Sequence, residues 1–381
     1  MRGPTVLSSP WRTSAAWRAP HAVFRCDASV GLGGGHLQRC LTLARALSAR
    51  GWRTSMAMRE ASFVTAPGAE IAGIGRIALR GPDEDEAVEI AEALGGDGAD
   101  LVVVDHYQRD RRFESACRHF AGRIAVIDDL ADRRRDTDLL VDQTFGREAA
   151  DYARLVPAGC RLLCGSGFAL LRQAFLECRP LALARRRVTG PARRILVAMG
   201  ATDAANATAA ALDALGLVAR RLPNAFSVDV VLGASAPYLA EIRARQETAP
   251  FAVRLHVDVD GEAMAALMTA ADLGVGAGGT MSWERCCLGL PAVVVVTAAN
   301  QETIAANVEA AGACRLVDAP RSARTVALAD AVAALCTDDD ARREMSDAAA
   351  TVCDGLGTHR VAGAITEMMA MCLHAHGMSF A

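Results

Sequence analysis

The sequence predicts two doubly wound α/β domains that face each other across a cleft. Three observations carry this reading. Short apolar runs alternate with helical stretches from Ala22 onward, the series occurs twice in halves of similar size, and an Arg-, Pro- and Gly-rich stretch around residues 179–193 separates them. Strands alternating with helices imply βαβ units and a parallel sheet.

The first series opens with AVFRCD and a helix from about His36 to Ala49. It continues through RTSMAM, LVVVDHY (101–107), RIAVIDD (123–129), DLLVDQ (138–143) and RLLCG (161–165). The second runs through RILVAMG (194–200), SVDVVLG (227–233), FAVRLHV (251–257), DLGVGAGG (272–279), PAVVVV (291–296) and ACRLV (313–317). Helical runs such as ATAAALDAL and GEAMAALMTAA separate its strands, and a helical stretch follows from about Leu328. The expected organisation is therefore a disordered extension over 1–21, domains over 22–185 and 186–372, and a tail over 373–381.

Composition narrows the chemistry. Among 381 residues there are 41 cationic side chains, every one an arginine, against 44 acids. A chain without lysine has no Schiff-base amine, no pyridoxal-phosphate attachment point and no Walker-A phosphate loop. Hydrophobic residues make up 52% and aromatics 4%, so the cores must be aliphatic, as buried parallel sheets are. A net charge of −3 argues against a general nucleic-acid or membrane-surface binder. No apolar stretch approaches the ~20 residues that span a bilayer. The twelve cysteines are scattered, form no CxxC pair and mostly sit in apolar runs, which fits reduced thiols and, without a secretory apolar segment, a cytoplasmic protein. Cys372, His374 and His376 read as a frayed tail rather than a metal site.

Two glycine-rich turns stand out. In the first half a strand runs into Gly31-Leu32-Gly33-Gly34-Gly35-His36 and then a helix with Leu37, Cys40, Leu41, Ala44 and Leu47 on one face. Such a turn lets backbone approach a ligand and aims amides at an anion. The dinucleotide fingerprint needs a third glycine where this chain has His36. At a helix start the dipole favours negative over positive charge, and a neutral imidazole is what a general base requires.

In the second half, DLGVG opens into Ala277-Gly278-Gly279-Thr280 and the helix MSWERCCL, a site for a diphosphate. With Thr280 as N-cap, a capping box would place its acid at Trp283; Glu284 comes one residue too late and is free to accept a ribose diol. Gly200, Ala201, Thr202 and Asp203 follow the first strand of that half, and Asn300-Gln301 follow PAVVVV. Ligands bind at such carboxyl ends in open α/β sheets.

Together FRCDASVGLGGGHLQRCLTLA, VVVDHY, IDDLADRRRDTDLLVDQ, MGATDAAN, GAGGTMSWERCCLGLP and NQET resemble, in order over roughly residues 22–312, the UDP-2,4-diacetamido-2,4,6-trideoxy-β-L-altropyranose hydrolases of pseudaminic acid biosynthesis. The resemblance implies the two-domain GT-B fold, shared with glycosyltransferases such as the peptidoglycan N-acetylglucosaminyltransferase, with water as acceptor. It implies His36 as the water-activating base, Tyr107 and Asn300 lining the sugar pocket, and Glu284 on the ribose. Gly278, Gly279 and Thr280 would lie near the diphosphate, with Gly35, Gly200, Thr202 and Gln301 completing the substrate site. It implies a UDP-sugar substrate and UDP product, no metal and no cofactor; oligomeric state is left open. Ala201 stands where the family has glycine, and the loop Val259-Asp260-Gly261-Glu262 is longer than usual.

Three rival readings are set beside this one. The same site could serve a glycosyltransferase with a sugar or lipid acceptor. Asp105, His106, Asp128 and Asp129, all at strand ends, could form a metallohydrolase centre. A UDP-sugar sensor without turnover would carry the same nucleotide site.

Overall fold

A computed structural model describes residues 18–28, 34–65, 73–223 and 226–375. The extension up to residue 17, Gly31, Leu32 and Gly33 of the first turn, and His376 onward lie outside the described residues.

The chain forms two all-parallel sheets. The first contains β1 (His21–Cys26), β2 (Arg53–Arg59), β3 (Gly75–Leu79), β4 (Ala99–Asp105), β5 (Ala121–Ile127), β6 (Leu139–Asp142) and β7 (Arg161–Cys164), in the order β3-β2-β1-β4-β5-β6-β7. The second contains β8 (Arg194–Ala198), β9 (Ser227–Leu232), β10 (Ala252–Val257), β11 (Leu273–Ala277), β12 (Ala292–Val295) and β13 (Arg315–Val317), in the order β10-β9-β8-β11-β12-β13. Both orders reverse direction once, between β1 and β4 and between β8 and β11. That reversal is the switch point where doubly wound sheets bind ligands. Central strands such as LVVV of β4 and VVV of β12 are apolar on both faces, as a sheet covered by helices on each side requires.

Edge strand β3 escaped the sequence reading because GRIAL is short, half-exposed and lacks a clear apolar run. The chain also changes cores earlier than predicted. Helix Gln173–Arg186 straddles the expected 185/186 boundary, yet Phe175 and Ala182 are fully buried in the second-domain core. It returns as well: helix Gly357–Ala375, placed by sequence largely in the second domain, buries Val361, Ala362 and Ile365 against the first-domain helix Gly35–Ser48. Its apolar face finds its partner across the molecule, a long-range pairing that local periodicity does not encode. Among the described residues no helix is long and apolar enough to cross a membrane.

Candidate active site

Helix Gly35–Ser48 starts beside the carboxyl end of β4, which brings His36 against Asp105. The His36 Nδ1 atom lies 2.6 Å from Asp105 Oδ1, and both residues are buried. Arg39, one turn along the same helix face, donates Nε to Asp105 Oδ2 and Nη2 to Oδ1, each at 2.6 Å. Its Nη2 is also 3.1 Å from His36 Nδ1. A bare Nδ1 would set its lone pair against a carboxylate oxygen, so the proton belongs on Nδ1 and Nε2 is the basic nitrogen. Burial alone would raise the Asp105 carboxyl; the Arg39 charge first, then His36, holds it far below the usual carboxylate range.

Tyr107 meets His36 edge to face, with ring centroids 4.5 Å apart and planes at 89°. Its hydroxyl donates to Asp129 at 3.3 Å and accepts from Asn300 Nδ2 of the opposite domain at 3.0 Å. Burial, then the nearby Asp129 charge, pushes this phenol up to about 12, so it remains protonated near neutrality.

The described end of the first glycine-rich turn meets the second across the cleft: a Cβ added to Gly35 would lie 3.3 Å from Thr280 Oγ1. Gln301 supports the second turn. Its side chain accepts from the Thr297 amide at 3.0 Å and hydroxyl at 3.1 Å, and a Cβ on Gly279 would meet its amide nitrogen at 3.6 Å. Gly278 is tighter, since a Cβ there would press on Ala305 Cβ at 3.0 Å. The structure thus brings His36, Tyr107, Asn300, Gly35, Thr280, Gly278, Gly279 and Gln301 to one cleft.

Glu284 lies one turn into helix Met281–Cys287 and accepts from Arg172 at 3.0 Å. Arg172 passes close over Gly261, where a Cβ would come within 2.7 Å of its Cδ. The expected long loop over 259–262 is instead a short connection, since the strand ends at Val257 and the next helix starts at Gly261. Gly261 leaves room for this arginine, and Asp260 caps the helix through the Ala263 amide at 2.8 Å. Gly200 has φ +104 at the end of β8, with Thr202 two residues on, beside the second turn through the Ala198–Gly276 register. Asp203 instead caps helix Ala207–Arg221, accepting from Ala207 and Thr208 at 2.8 Å each. Ala201 keeps its methyl exposed while its carbonyl accepts from Gly233 at 2.8 Å.

The four residues of the metallohydrolase reading are engaged by other side chains, with Arg39 shared by Asp105 and Asp129. Asp105 serves His36 and Arg39, His106 Nε2 sits 3.3 Å from Asp27, Asp128 pairs with Arg135 at 2.7 Å, and Asp129 holds Arg39 and Tyr107. Among the described residues no group of three His, Cys, Asp or Glu side chains is arranged to hold a metal.

Sequence reasoning missed Asp105 as the partner of His36, along with Arg39 and Arg172. Arg39 carried a signal, the three-residue spacing from His36. Asp105 carried only an ambiguous one, because acids at strand ends serve many purposes, and Arg172 carried none.

Residues 254–361 match the Glycosyltransferase family 28 C-terminal domain. The chain is similar to the UDP-2,4-diacetamido-2,4,6-trideoxy-beta-L-altropyranose hydrolase of Campylobacter jejuni, at 24% identity over 74% of this chain and 94% of that protein. In structure it resembles MurG of Acinetobacter baumannii, with TM-score 0.64 and 15% identity over 91% of this chain and 99% of that one. It also resembles UDP-GlcNAc 2-epimerase of Neisseria meningitidis, with TM-score 0.62 and 12% identity over 92% and 100%. The fold is GT-B.

Proposed function

We propose that this protein hydrolyses a UDP-linked diacetamido-trideoxy sugar, the altrose derivative named for the Campylobacter relative, to free sugar and UDP. The observation that carries the reading is the His36–Asp105 pair set directly opposite the second-domain glycine turn. UDP would lie on the second domain, with its ribose at Glu284 and its diphosphate at Gly278–Thr280. The anomeric carbon then falls in the cleft near His36.

The reaction balances on these groups. Water attacks the anomeric carbon from the face opposite the diphosphate, and His36 Nε2 takes its proton. The bond from that carbon to the diphosphate oxygen breaks, UDP departs with the electron pair, and the configuration inverts. Asp105 fixes the ring tautomer and stabilises the imidazolium that forms. Backbone amides of the second turn oppose the charge growing on the leaving group. Tyr107 and Asn300 form the sugar-facing wall.

Replacing His36 by Ala or Asn is expected to preserve UDP binding and to lower turnover by about 10²–10⁴-fold. Full activity in either variant would overturn the assignment. The family 28 match and the likeness to MurG favour a second reading, transfer to a sugar or lipid acceptor. Incubation with UDP-diacetamido-trideoxy sugars and no acceptor, followed by NMR, separates the two: hydrolysis yields a free reducing sugar of inverted configuration, whereas a transferase leaves the donor intact.

A further inference from the structure

Among the described residues, the other arginines as buried as Arg285 are matched by carboxylates, Arg342 by Asp339 among them. Arg25 and Arg109 pair with Glu86, Arg39 with Asp105, and Arg135 with Asp128 and Glu114. The half-buried Arg186 and Arg179 instead bind backbone carbonyls at helix carboxyl ends, where partial negative charge gathers. Arg285 differs. It is 5% exposed, and no carboxylate pairs with it among the described residues. Its Nη2 donates to Ala277 O at 2.8 Å and Ser282 Oγ at 3.0 Å, two neutral acceptors at the foot of the second glycine turn.

The strand leaves room for this cation. Gly274 and Gly276 alternate along β11, so both lack a side chain on the same face. A Cβ on Gly274 would meet Leu290 Cδ2 at 3.3 Å, Ala292 Cβ at 3.4 Å and Arg285 Cδ at 3.5 Å. One on Gly276 would come within 2.6 Å of Arg285 Nη1 and 2.8 Å of the Ala198 carbonyl oxygen. Two glycines weaken a central strand, a cost that makes sense only if their space is used. They admit a guanidinium under a turn that offers amides to the cleft. Burial acts against this charge and lowers the Arg285 pKa.

We infer that Arg285 is a built-in counter-charge for the ligand's diphosphate, acting through the Ala277–Thr280 turn rather than by touching the ligand. This rests on the nucleotide site proposed above. The guanidinium supplies the charge that the buried turn otherwise lacks. Its bond to the Ala277 carbonyl polarises the Ala277–Gly278 peptide and strengthens the Gly278 N–H as a donor. Arg285 is thus a positioning residue for an anion.

The test compares UDP with uridine, which share a base and ribose but differ in charge. Calorimetry on the full-length protein, with folding followed by circular dichroism, would use Arg285→Met and Arg285→Lys. Arg285→Met is expected to weaken UDP binding roughly tenfold, the scale of one charge near 10 Å at an effective dielectric of about 20, and to leave uridine unchanged. Arg285→Lys should recover part of the loss. If Arg285→Met does not fold, Arg285→Lys and Arg285→Gln carry the same comparison. Equal weakening of UDP and uridine, or no weakening of UDP, would overturn the inference. Wild-type protein that binds neither would instead remove the nucleotide reading beneath it.

Discussion

The two glycine-rich turns face each other across one cleft, and each flanks the switch point of its own sheet, yet they are backed in opposite ways. Behind the first stand carboxylates: Asp105 on His36 and Arg39, and Asp129 on Arg39 and Tyr107. Behind the second stands Arg285 with neutral acceptors alone, while Glu284, one turn further on, is paired with Arg172. The difference follows from the tasks proposed for them. A wall that takes a proton needs an acid to fix the ring and to share the positive charge that appears. A wall that receives a diphosphate loses affinity with every unpaired acid near it. Without lysine, the chain meets both demands with arginine, a cation that binds carboxylates in a fixed fork and remains charged when buried.

The largest expected effect comes from making the first wall resemble the second. Asp105→Asn removes the charge but keeps the shape. An amide can present its NH2 group to His36, which would put the proton on the wrong ring nitrogen; turnover should fall by roughly 10²-fold or more at unchanged UDP affinity. Stability should fall too, by about 3 kcal/mol at neutral pH, because Arg39 loses its main buried partner. The pH dependence has a definite sign. The folded-state pKa of Asp105 lies below its unfolded value near 3.9, so its contribution is fully present above about pH 5. It drains away as pH falls toward the folded value. The gap between wild type and Asp105→Asn should therefore be widest at neutral pH and narrow below about pH 4 in chemical denaturation. A gap independent of pH would mean that Asp105 acts through packing alone.

That pair also marks how far the sequence could be read. Both sheets apart from β3, and the placing of His36 and Glu284 near helix starts, were legible because each rests on local pattern: apolar runs and glycine clusters. The His36–Asp105 contact was not, since it spans 69 positions and several acids end strands nearby. The same reason hid the return of helix Gly357–Ala375 to the first domain. Arg172 was invisible because an arginine before a helix looks like any solvated residue until Gly261 and Glu284 close around it.

A middle-sized effect tests the second wall. If Glu284 accepts the ribose diol, Glu284→Gln should weaken UDP about tenfold, as expected for losing charge-assisted bonds, with little change in kcat. The sharper measurement compares UDP with 2′-deoxy-UDP. Wild type should prefer UDP, and the variant should bind the two nearly alike. A preference that survives the substitution would assign the carboxylate to Arg172 alone.

The smallest effect concerns the point where the walls touch. Tyr107→Phe keeps the ring against His36 but removes the hydroxyl that accepts from Asn300 and donates to Asp129. Asn300 is exposed, so solvent can replace part of what it loses. The domains are also tied elsewhere, as where Asn307 donates to the Phe145 carbonyl at 2.9 Å. The neutral bond from Asn300 is worth about 1 kcal/mol and the donation to Asp129 is long at 3.3 Å, so kcat/KM should fall roughly fivefold. If the hydroxyl meets the sugar only to hold it, the loss will lie in KM. If it shapes the proton transfer at His36, kcat will fall instead and its pH profile will move. A loss approaching that of the Asp105 variant would place Tyr107 within the proton-transfer apparatus and end the simple division of labour between the two walls.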